Sequence, residues 1–390
     1  MTYRFSANRV RNFGTTIFSE ITALAQHHNA INLGQGFPDF PAPDFIKQAA
    51  IYAIETEINQ YAPLPGRPKL RQAIADKVLK HEGRTVDPNS EVAVMVGATE
   101  AIFSTILGLV DPGDEVIIFE PFYDSYIPSI EFAGGIPKFY TLRAPDWGID
   151  PDELEALFSD KTKLIMINTP HNPTGKVYSA DEMQMIADLC LKYDVVAAVD
   201  GAYEHIVYDG AEHLSMACLD GMAERTVQIS SLGKTFSVTG WKTGWTVAAP
   251  ELTTAIMRIY QWATFSGINP FQEAAAEALI AAEETGYYAE LSKMYQRKRD
   301  ILMNGFAEIG LSAIKPYGSY FVMVDISELG LGNDVAFCKY LPEKVGVAAI
   351  PPSAFYKNKA EGENMARFAF CKRDEVLHAA VDKLKVLGSR

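Results

Sequence analysis

The chain has 390 residues, of which 48% are hydrophobic and 22% are charged, and its formal net charge is −14. This composition is typical of a globular protein with a large core, and the length fits one large domain with a smaller one, or two similar domains. The sequence has no basic block to offset the negative charge, which argues against nucleic acid and against an anionic membrane surface as partners.

The cysteine and hydropathy patterns bear on the cellular compartment. The four cysteines are Cys190, Cys218, Cys338 and Cys371, and none of them belongs to a Cys-x-x-Cys pair. The sequence therefore indicates neither a metal site nor a disulfide framework. Reduced thiols, together with the lack of any apolar run of signal-peptide or membrane-span length, predict a cytoplasmic protein.

Short apolar segments alternate with longer amphipathic ones through the first two thirds of the chain. The predicted strands are residues 92–96, 115–119, 136–142, 164–168, 195–199, 226–230 and 246–249, and amphipathic helices at 99–110 and 180–193 lie between some of them. Strands that are apolar on both faces and alternate with helices predict an α/β fold with a mostly parallel, seven-stranded sheet covered by helices.

Two predicted helices lead from this pattern into a different one. Two helices are predicted at 271–284 and 287–309, followed by strands at 318–326, 346–350 and 366–371 and a last helix at 373–387. We therefore predict a large domain over residues 41–285 and a smaller α+β domain over 286–390. Residues 1–40 are predicted to form an N-terminal arm and a part of the small domain.

A lysine follows the predicted strand 226–230. Lys234 stands on a loop of small residues, where a lysine can form a Schiff base with an aldehyde cofactor, and Lys242 lies eight residues further on, where it can meet a phosphate. A P-loop would need glycine at position 228, which is Gln228 here. Taken alone, such a motif more often marks an ordinary exposed lysine than a cofactor site.

Other small, polar or aromatic residues follow the carboxyl ends of the predicted strands, where parallel sheets bind ligands. They are Gly97-Ala98-Thr99 after strand 92–96, Tyr123 after 115–119, Asn172 after 164–168, and Asp200 with Tyr203 after 195–199. Each has an ordinary explanation as a turn, a helix cap or a core residue. Their coincidence at successive strand ends indicates one site, in which the helix opening at Gly97 suits a phosphate.

These residues resemble the signature of a known family. The motifs Asn172-Pro-Thr-Gly, Asp200-x-x-Tyr203 and Ser231-x-x-Lys234, with Arg367, resemble fold-type I, pyridoxal-phosphate-dependent aminotransferases of class I/II. The segments ending at Phe40, Tyr61, Ile118, Gly244 and Pro351 are similar to the kynurenine aminotransferase (glutamine transaminase K) group and, most closely, to bacterial methionine aminotransferases. The resemblance extends over residues 15–384.

The resemblance implies an activity and its alternatives. The expected reaction moves the amino group of methionine, glutamine or an aromatic amino acid, kynurenine included, to a 2-oxo acid by a ping-pong mechanism. A β-lyase of the same fold, acting on cysteine S-conjugates or cystathionine, is the alternative. Regulators that use this fold carry an additional DNA-binding domain, for which the segment before Asn32 is expected to leave no room.

The resemblance also implies pyridoxal 5′-phosphate as the cofactor. Lys234 matches the lysine that holds the cofactor and moves the proton, and Asp200 matches the partner of the ring nitrogen. Tyr203 and Asn172 match the hydrogen-bond partners of the phenolic oxygen, and Tyr123 matches the stacking aromatic. The residues expected at the phosphate are Ala98 and Thr99 through their backbone, Ser231 and Lys242.

For the substrate, the resemblance assigns the α-carboxylate to Arg367, aided by Asn172 and the backbone of Gly36. The side chain is expected to meet Phe18, Tyr61, Phe265 and Tyr320, a set of rings that favours large apolar or sulfur-bearing donors. Tyr61, also expected at the cofactor, and Phe265 would come from a neighbouring subunit, which implies a homodimer with shared active sites. The kynurenine enzymes have tryptophan where this chain has Phe18, which argues against strict kynurenine specificity.

One position departs from the family pattern. The usual Asp-Glu-Val-Tyr reads Asp200-Gly201-Ala202-Tyr203 here. Gly201 is expected to remove a charge near the cofactor and to loosen the backbone. Because Asp200 and Tyr203 keep their spacing, we expect activity to survive.

Overall fold

The computed structural model describes residues 5–11, 13–14 and 16–388. Within these residues the strands are β1 (Ile31–Asn32), β2 (Val92–Met95), β3 (Glu115–Glu120), β4 (Ile136–Thr141), β5 (Thr162–Asn168), β6 (Val196–Asp200), β7 (Thr226–Ser231), β8 (Gly244–Val247), β9 (Ser312–Ile314), β10 (Phe321–Asp325), β11 (Val347–Ala348) and β12 (Met365–Ala369).

The helices of the same described ranges connect and cover these strands. They are α1 (Ile17–His27), α2 (Asp44–Glu55), α3 (Pro68–Glu82), α4 (Gly97–Leu109), α5 (Tyr126–Ala133), α6 (Pro151–Glu155), α7 (Ala180–Tyr193), α8 (Leu232–Thr235), α9 (Pro250–Ala263), α10 (Asn269–Thr285), α11 (Tyr287–Glu308), α12 (Asp334–Tyr340) and α13 (Asp374–Gly388). In the part of the chain that the structure describes, no helix has the length and apolarity needed to cross a bilayer.

Seven strands form the central sheet in the order β2-β8-β7-β6-β5-β3-β4. Only β8 runs antiparallel to its neighbours, β2 and β7. The predicted mostly parallel, seven-stranded sheet is therefore confirmed. The parallel arrangement brings the carboxyl ends of β3, β5, β6 and β7 to one edge, where the chain then turns into loops and helices.

Both faces of this sheet are buried, because successive side chains of a strand point to opposite faces. Ile165 and Ile167 of β5 pack in one core cluster with α7. Leu164 and Met166 of the same strand pack in another cluster with α4, α5 and α9. A third cluster, formed by α2, α3 and α10, covers β2 and β8. The near-continuous apolar runs of the predicted strands are thus explained by burial on two sides.

Local signals in the sequence fix several helix ends. Ser179 and Glu182 form a capping box that starts α7, with the Ser179 Oγ accepting from the Glu182 amide at 3.2 Å. Pro68 occupies the first turn of α3, and Gly83 ends that helix with φ +68°. These residues set where α7 begins and where α3 begins and ends.

A second core lies outside the central sheet. It contains the antiparallel sheet β12-β10-β9 and the helices α11, α12 and α13. The two-residue strand β1 pairs with β11, which joins the segment before residue 40 to this core. This pairing is in line with the predicted N-terminal arm, while the domain boundaries at residues 40 and 285 stay predictions.

The small sheet differs from the sequence prediction in two details. The strand predicted from residue 318 starts only at Phe321, because Ser319 has φ +58° and Gly318 hydrogen-bonds to Gly175 instead of a sheet neighbour. The three-residue strand β9 was not predicted, since a segment that short has no measurable alternation.

Candidate active site

A cavity of about 400 Å³ lies where the carboxyl ends of the central strands meet the small sheet. Twelve of the residues predicted for the site line it. They are Phe18, Gly36, Ala98, Thr99, Tyr123, Asn172, Asp200, Tyr203, Ser231, Lys234, Lys242 and Arg367. The fold thus brings together residues that are up to 349 positions apart, from 18 to 367.

Lys234 lies on α8, directly after β7, and its amine reaches into this cavity. The Nζ donates a hydrogen bond to the carbonyl oxygen of Gly36 at 3.2 Å and lies 5.7 Å from the centre of the Tyr203 ring. Burial lowers the pKa of Lys234 to about 8, although the thiol of Cys371 and the carboxylate of Asp200 oppose the shift. The site therefore makes the neutral, nucleophilic amine accessible at a lower pH than in an ordinary lysine.

Asp200 ends β6 and is 4% exposed. Its Oδ2 accepts a hydrogen bond from the hydroxyl of Tyr126 at 2.7 Å, and its Oδ1 accepts one from the Ala202 amide at 3.2 Å. Burial raises the pKa of Asp200, while these hydrogen bonds and Lys234 act in the opposite direction. A carboxylate in this setting gains from a cationic partner, because burial of an uncompensated charge is costly.

A chain of hydrogen bonds links β5, β6 and the small sheet. The Asn168 side chain donates to the Asp200 carbonyl at 2.8 Å and accepts from the Asn172 amide at 2.7 Å. The Asn172 Oδ1 in turn accepts from Arg367 at 3.0 Å. These contacts hold Asn172 between the end of the central sheet and the arginine of β12.

Arg367 is 1% exposed and lies against aromatic rings. Its guanidinium is 4.2 Å from the ring centre of Phe321 and 5.2 Å from that of Phe18. One terminal nitrogen donates to Asn172 and the other to the Gly34 carbonyl, but the buried Nε has no hydrogen-bond partner within the described residues. Burial lowers the pKa of Arg367 to about 10, which still leaves the group charged at neutral pH. An unused donor on a buried cation fits an anionic ligand.

The N-terminus of α4 forms a second place for an anion. The first N–H groups of a helix have no acceptor within it. Gly97 starts α4 with φ +80°, and a Cβ at this position would lie 3.3 Å from the Nζ of Lys242. Gly244 of β8 comes so close that its Cβ would lie 2.6 Å from the Gly97 carbonyl carbon. The absence of side chains at Gly97 and Gly244 thus allows the Lys242 ammonium to lie next to free backbone N–H groups.

Three residues predicted for the substrate or cofactor do not line the cavity. Tyr61 and Phe265 are 80% and 50% exposed, and their rings contact each other with centres 5.5 Å apart. Tyr320 is fully buried behind the cavity, where it packs on Tyr203 with ring centres 5.0 Å apart and donates a hydrogen bond to the Gly36 carbonyl. Tyr320 thus does not line this cavity, and its expected contact with the substrate side chain stays a prediction.

The prediction for Gly201 also needs correction. Gly201 does not line the large cavity but a separate one of about 30 Å³. A Cβ on Gly201 would lie 3.6 Å from the Nε2 of His213 and 3.4 Å from the Ile229 carbonyl oxygen. A side chain here would point into that second cavity, so its absence removes no charge from the edge of the site.

Some lining residues were not among the predicted site residues. Phe321 and Asp124 both line the cavity, and burial raises the pKa of Asp124, although Arg367 opposes the shift. Tyr126 lies behind Asp200. The sequence offered one usable signal, since Asp124 directly follows the predicted aromatic Tyr123.

The residues fit pyridoxal phosphate on these observations. A buried carboxylate, Asp200, faces a lysine whose pKa is about 8, and a space without side-chain atoms at Gly97 adjoins the ammonium of Lys242. Together they provide a base, an anionic partner for a ring nitrogen and a cradle for a phosphate within one cavity.

Comparison with known proteins identifies the family. Residues 28–384 match the family described as aminotransferase class I and II. The probable N-succinyldiaminopimelate aminotransferase DapC of Mycobacterium tuberculosis is 44% identical over 397 residues, which cover 99% of each chain. The kynurenine–oxoglutarate transaminase of Dictyostelium discoideum is 42% identical and covers 98% of this chain and 97% of its own.

A solved structure gives the same assignment. YbdL of Escherichia coli, described with a methionine aminotransferase function, superposes with a TM-score of 0.94 at 39% identity and covers 98% of this chain and 99% of its own. Both the family match and this superposition extend over the central sheet and the small sheet. The chain therefore belongs to the class I and II aminotransferases and is a pyridoxal-phosphate-dependent transaminase of fold type I.

Proposed function

We propose that this transaminase moves the amino group of methionine, glutamine or an aromatic amino acid to a 2-oxo acid by a ping-pong mechanism. One observation gives this proposal its strongest support. The amine of Lys234, the carboxylate of Asp200 and the guanidinium of Arg367 all face one cavity. A base, a partner for the cofactor ring and a carboxylate receptor are the groups that amino-group transfer requires.

We propose the following roles at the cofactor. Bound pyridoxal phosphate supplies an electron sink for the substrate Cα. Lys234 holds the cofactor and, once free, moves a proton at that carbon, for which a pKa of about 8 is suitable. Asp200 keeps a proton on the ring nitrogen. The phosphate is bound by Ser231, Lys242 and the backbone of Ala98 and Thr99, and the ring meets Tyr123, Asn172 and Tyr203.

Arg367 binds the substrate α-carboxylate in this proposal. Its planar fork can donate two parallel hydrogen bonds, and its buried Nε is available for one of them. Asn172 already fixes one side of the guanidinium at 3.0 Å. A lysine could not reproduce this geometry, because its ammonium is a point charge without a planar fork.

The lining of the cavity supports donors that lack a second carboxylate. Phe18 and Phe321 supply apolar surface beside Arg367. Asp124 adds a carboxyl group to the same cavity. The names of the relatives refer to N-succinyldiaminopimelate, to kynurenine with oxoglutarate, and to methionine. The carboxyl group of Asp124 favours kynurenine and methionine over donors with further carboxylates.

A donor series tests this specificity. The values of kcat/KM for methionine, phenylalanine, glutamine and glutamate are measured in the natural protein and in Asp124→Asn. We expect glutamate to be the poorest donor and its kcat/KM relative to methionine to rise about fivefold in the variant, since one nearby charge is worth about 1 kcal/mol. Glutamate as the preferred donor, or pyruvate release from cysteine conjugates without an added oxo acid as the main activity, would contradict the proposal.

We also propose a homodimer with shared active sites. Tyr61, Trp262 and Phe265 are large aromatic residues with 80%, 84% and 50% exposure, and such surface is costly to leave in water. In the dimer, Tyr61 and Phe265 of each subunit would complete the cavity of the other, Tyr61 at the cofactor and Phe265 at the substrate.

The four cysteines support the predicted cytoplasmic location, which we include in the proposal. Each of them is a free thiol, and three are buried. Free thiols persist most readily in a reducing compartment. Recovery of the native protein in an extracellular or periplasmic fraction would contradict this location.

A further inference from the structure

A buried polar cluster lies behind the strand ends that carry the site. Lys77 of α3 forms an ion pair with Glu204, with 2.7 Å between the Nζ and Oε2 atoms. The hydroxyl of Ser230 donates a hydrogen bond to the other carboxylate oxygen of Glu204. Lys77 and Ser230 are 8% and 7% exposed, so the contacts are shielded from solvent.

The cluster connects two segments that hold proposed cofactor residues. Glu204 directly follows Tyr203, and Ser230 directly precedes Ser231. The strands β6 and β7 are paired up to Asp200 and Ile229, and the Gly201 amide still donates to the Ile229 carbonyl at 2.8 Å. Within the described residues, no backbone hydrogen bond joins the two segments beyond that point. The side-chain bond between Glu204 and Ser230 continues the connection where the sheet ends.

The charges of the cluster keep Glu204 ionised. Burial alone would raise the pKa of Glu204, but the ammonium of Lys77 holds it below its usual value. An ionised carboxylate accepts a stronger hydrogen bond than a neutral group does. A buried ion pair is a poor source of stability compared with apolar packing. The energetic cost of burying the charges of Lys77 and Glu204 is explained if this ion pair fixes the positions of the neighbouring segments.

We propose that Glu204 is a positioning residue, which Lys77 holds in place and which ties the segment of Asp200 and Tyr203 to the segment of Ser231 and Lys234. The inference rests on the roles proposed above for these four residues. Through Ser230, the carboxylate sets the distance between the groups at the cofactor ring and those at its phosphate and aldehyde ends. Neither Glu204 nor Ser230 lines the large cavity, so both act through their neighbours.

Ser230→Ala removes the hydrogen bond to Glu204 and keeps the ion pair of Lys77 and Glu204. Ser215→Ala is the matched control, because Ser215 lines the same small cavity and its hydroxyl bonds to Glu82 and Gln228 instead of Glu204. Ser230→Thr restores a hydroxyl and should restore the function. The readouts are the dissociation constant of pyridoxal phosphate, the pH midpoint of the cofactor's visible absorption, kcat and the melting temperature.

We expect Ser230→Ala to weaken cofactor binding by about tenfold, to shift the pH midpoint and to lower kcat, since a hydrogen bond to a charged group is involved. Ser215→Ala and Ser230→Thr should have a cofactor affinity, a pH midpoint and a kcat close to those of the natural protein. The inference is overturned if Ser230→Ala matches Ser215→Ala, or if it lowers only the melting temperature. An inactive natural protein that still binds the cofactor would instead contradict the proposed function.

Discussion

At the scale of single residues, the surroundings of Lys234 decide which form of its amine the protein favours. Burial lowers the pKa of Lys234 to about 8, and the positive charges of Arg367 and Lys242 act in the same direction. Below pH 8 the group is mostly an ammonium ion, which cannot attack an aldehyde. Above pH 8 it is mostly a neutral amine, whereas an ordinary lysine with a pKa near 10.5 would still be charged.

We predict that cofactor-free protein captures pyridoxal phosphate faster as the pH rises, with a midpoint near pH 8 and a plateau above it. The rate of absorbance change after mixing measures this between about pH 6 and pH 10. Lys234→Ala serves as the control and should show no covalent capture. A rate that keeps rising towards pH 10, as for an ordinary lysine, would contradict the environment described here.

Much of the candidate site could be predicted from the residue types at strand ends, whereas contacts between residues distant in the sequence could not be predicted. Asp200 and Lys234 could be proposed because each follows an apolar strand of a parallel sheet. Tyr126 could not, because its bond to Asp200 spans 74 residues and depends on how α5 packs. The expected loss of a charge near the cofactor at Gly201 was wrong for a similar reason, since His213 reaches this position from a loop that the motif does not contain.

At the scale of elements, the contact between β8 and the start of α4 shapes the proposed phosphate site. The antiparallel strand β8 pairs Gly244 with Met95, the last residue of β2. Gly97 follows two residues later and opens α4, so the two backbones almost touch. Lys242 stands just before β8 with φ +51°, a conformation that turns its chain towards the helix. The geometry depends on there being no side chain at Gly244.

Two glycine substitutions should therefore have opposite effects. A methyl group at Gly244 would lie 2.6 Å from the Gly97 carbonyl carbon, so Gly244→Ala should lower the unfolding free energy by about 1–3 kcal/mol and weaken cofactor binding. Gly201→Ala meets only ordinary contacts and should raise the unfolding free energy by about 0.4–1 kcal/mol with unchanged turnover. Denaturant unfolding and cofactor titration measure both. Equal effects of the two substitutions would contradict the structure at these strands.

The elements of the central sheet could be predicted, because burial on both faces leaves apolar runs that end at turns. All seven central strands are confirmed with shifts of at most two residues at either end. The small sheet was less predictable. Its strand β9 has three residues, so the existence of this strand depends on pairing with β10 instead of on a local pattern. The separate strand β11 has only two residues and depends in the same way on pairing with β1.

At the scale of the whole molecule, the active-site cavity combines three separate parts of the chain. The central sheet provides Lys234 and Asp200, β12 provides Arg367, and the segment before residue 40 provides Phe18 and Gly36. Tyr61 and Phe265 remain on the surface of the single chain. Their predicted roles therefore require a second copy of the chain. A sequence pattern within one chain does not show how two copies pack together.

Subunit mixing tests this arrangement. Lys234→Ala and the double variant Tyr61→Ala/Phe265→Ala should each form dimers by light scattering and have low activity. After unfolding and refolding together in equal amounts, activity should return to roughly a quarter of that of the natural protein, because half of the dimers then hold one intact site of two. An active monomer, or no recovery on mixing, would contradict shared active sites.

The central claim is that this protein exchanges amino groups through Lys234 and accepts methionine. The most direct measurement follows the cofactor's visible absorption while L-methionine is added alone, and then a 2-oxo acid. We predict that the band disappears with methionine and returns with the oxo acid, and that Lys234→Ala shows no such cycle although its circular dichroism is unchanged. A band that responds to none of methionine, glutamine, phenylalanine and kynurenine would contradict the account.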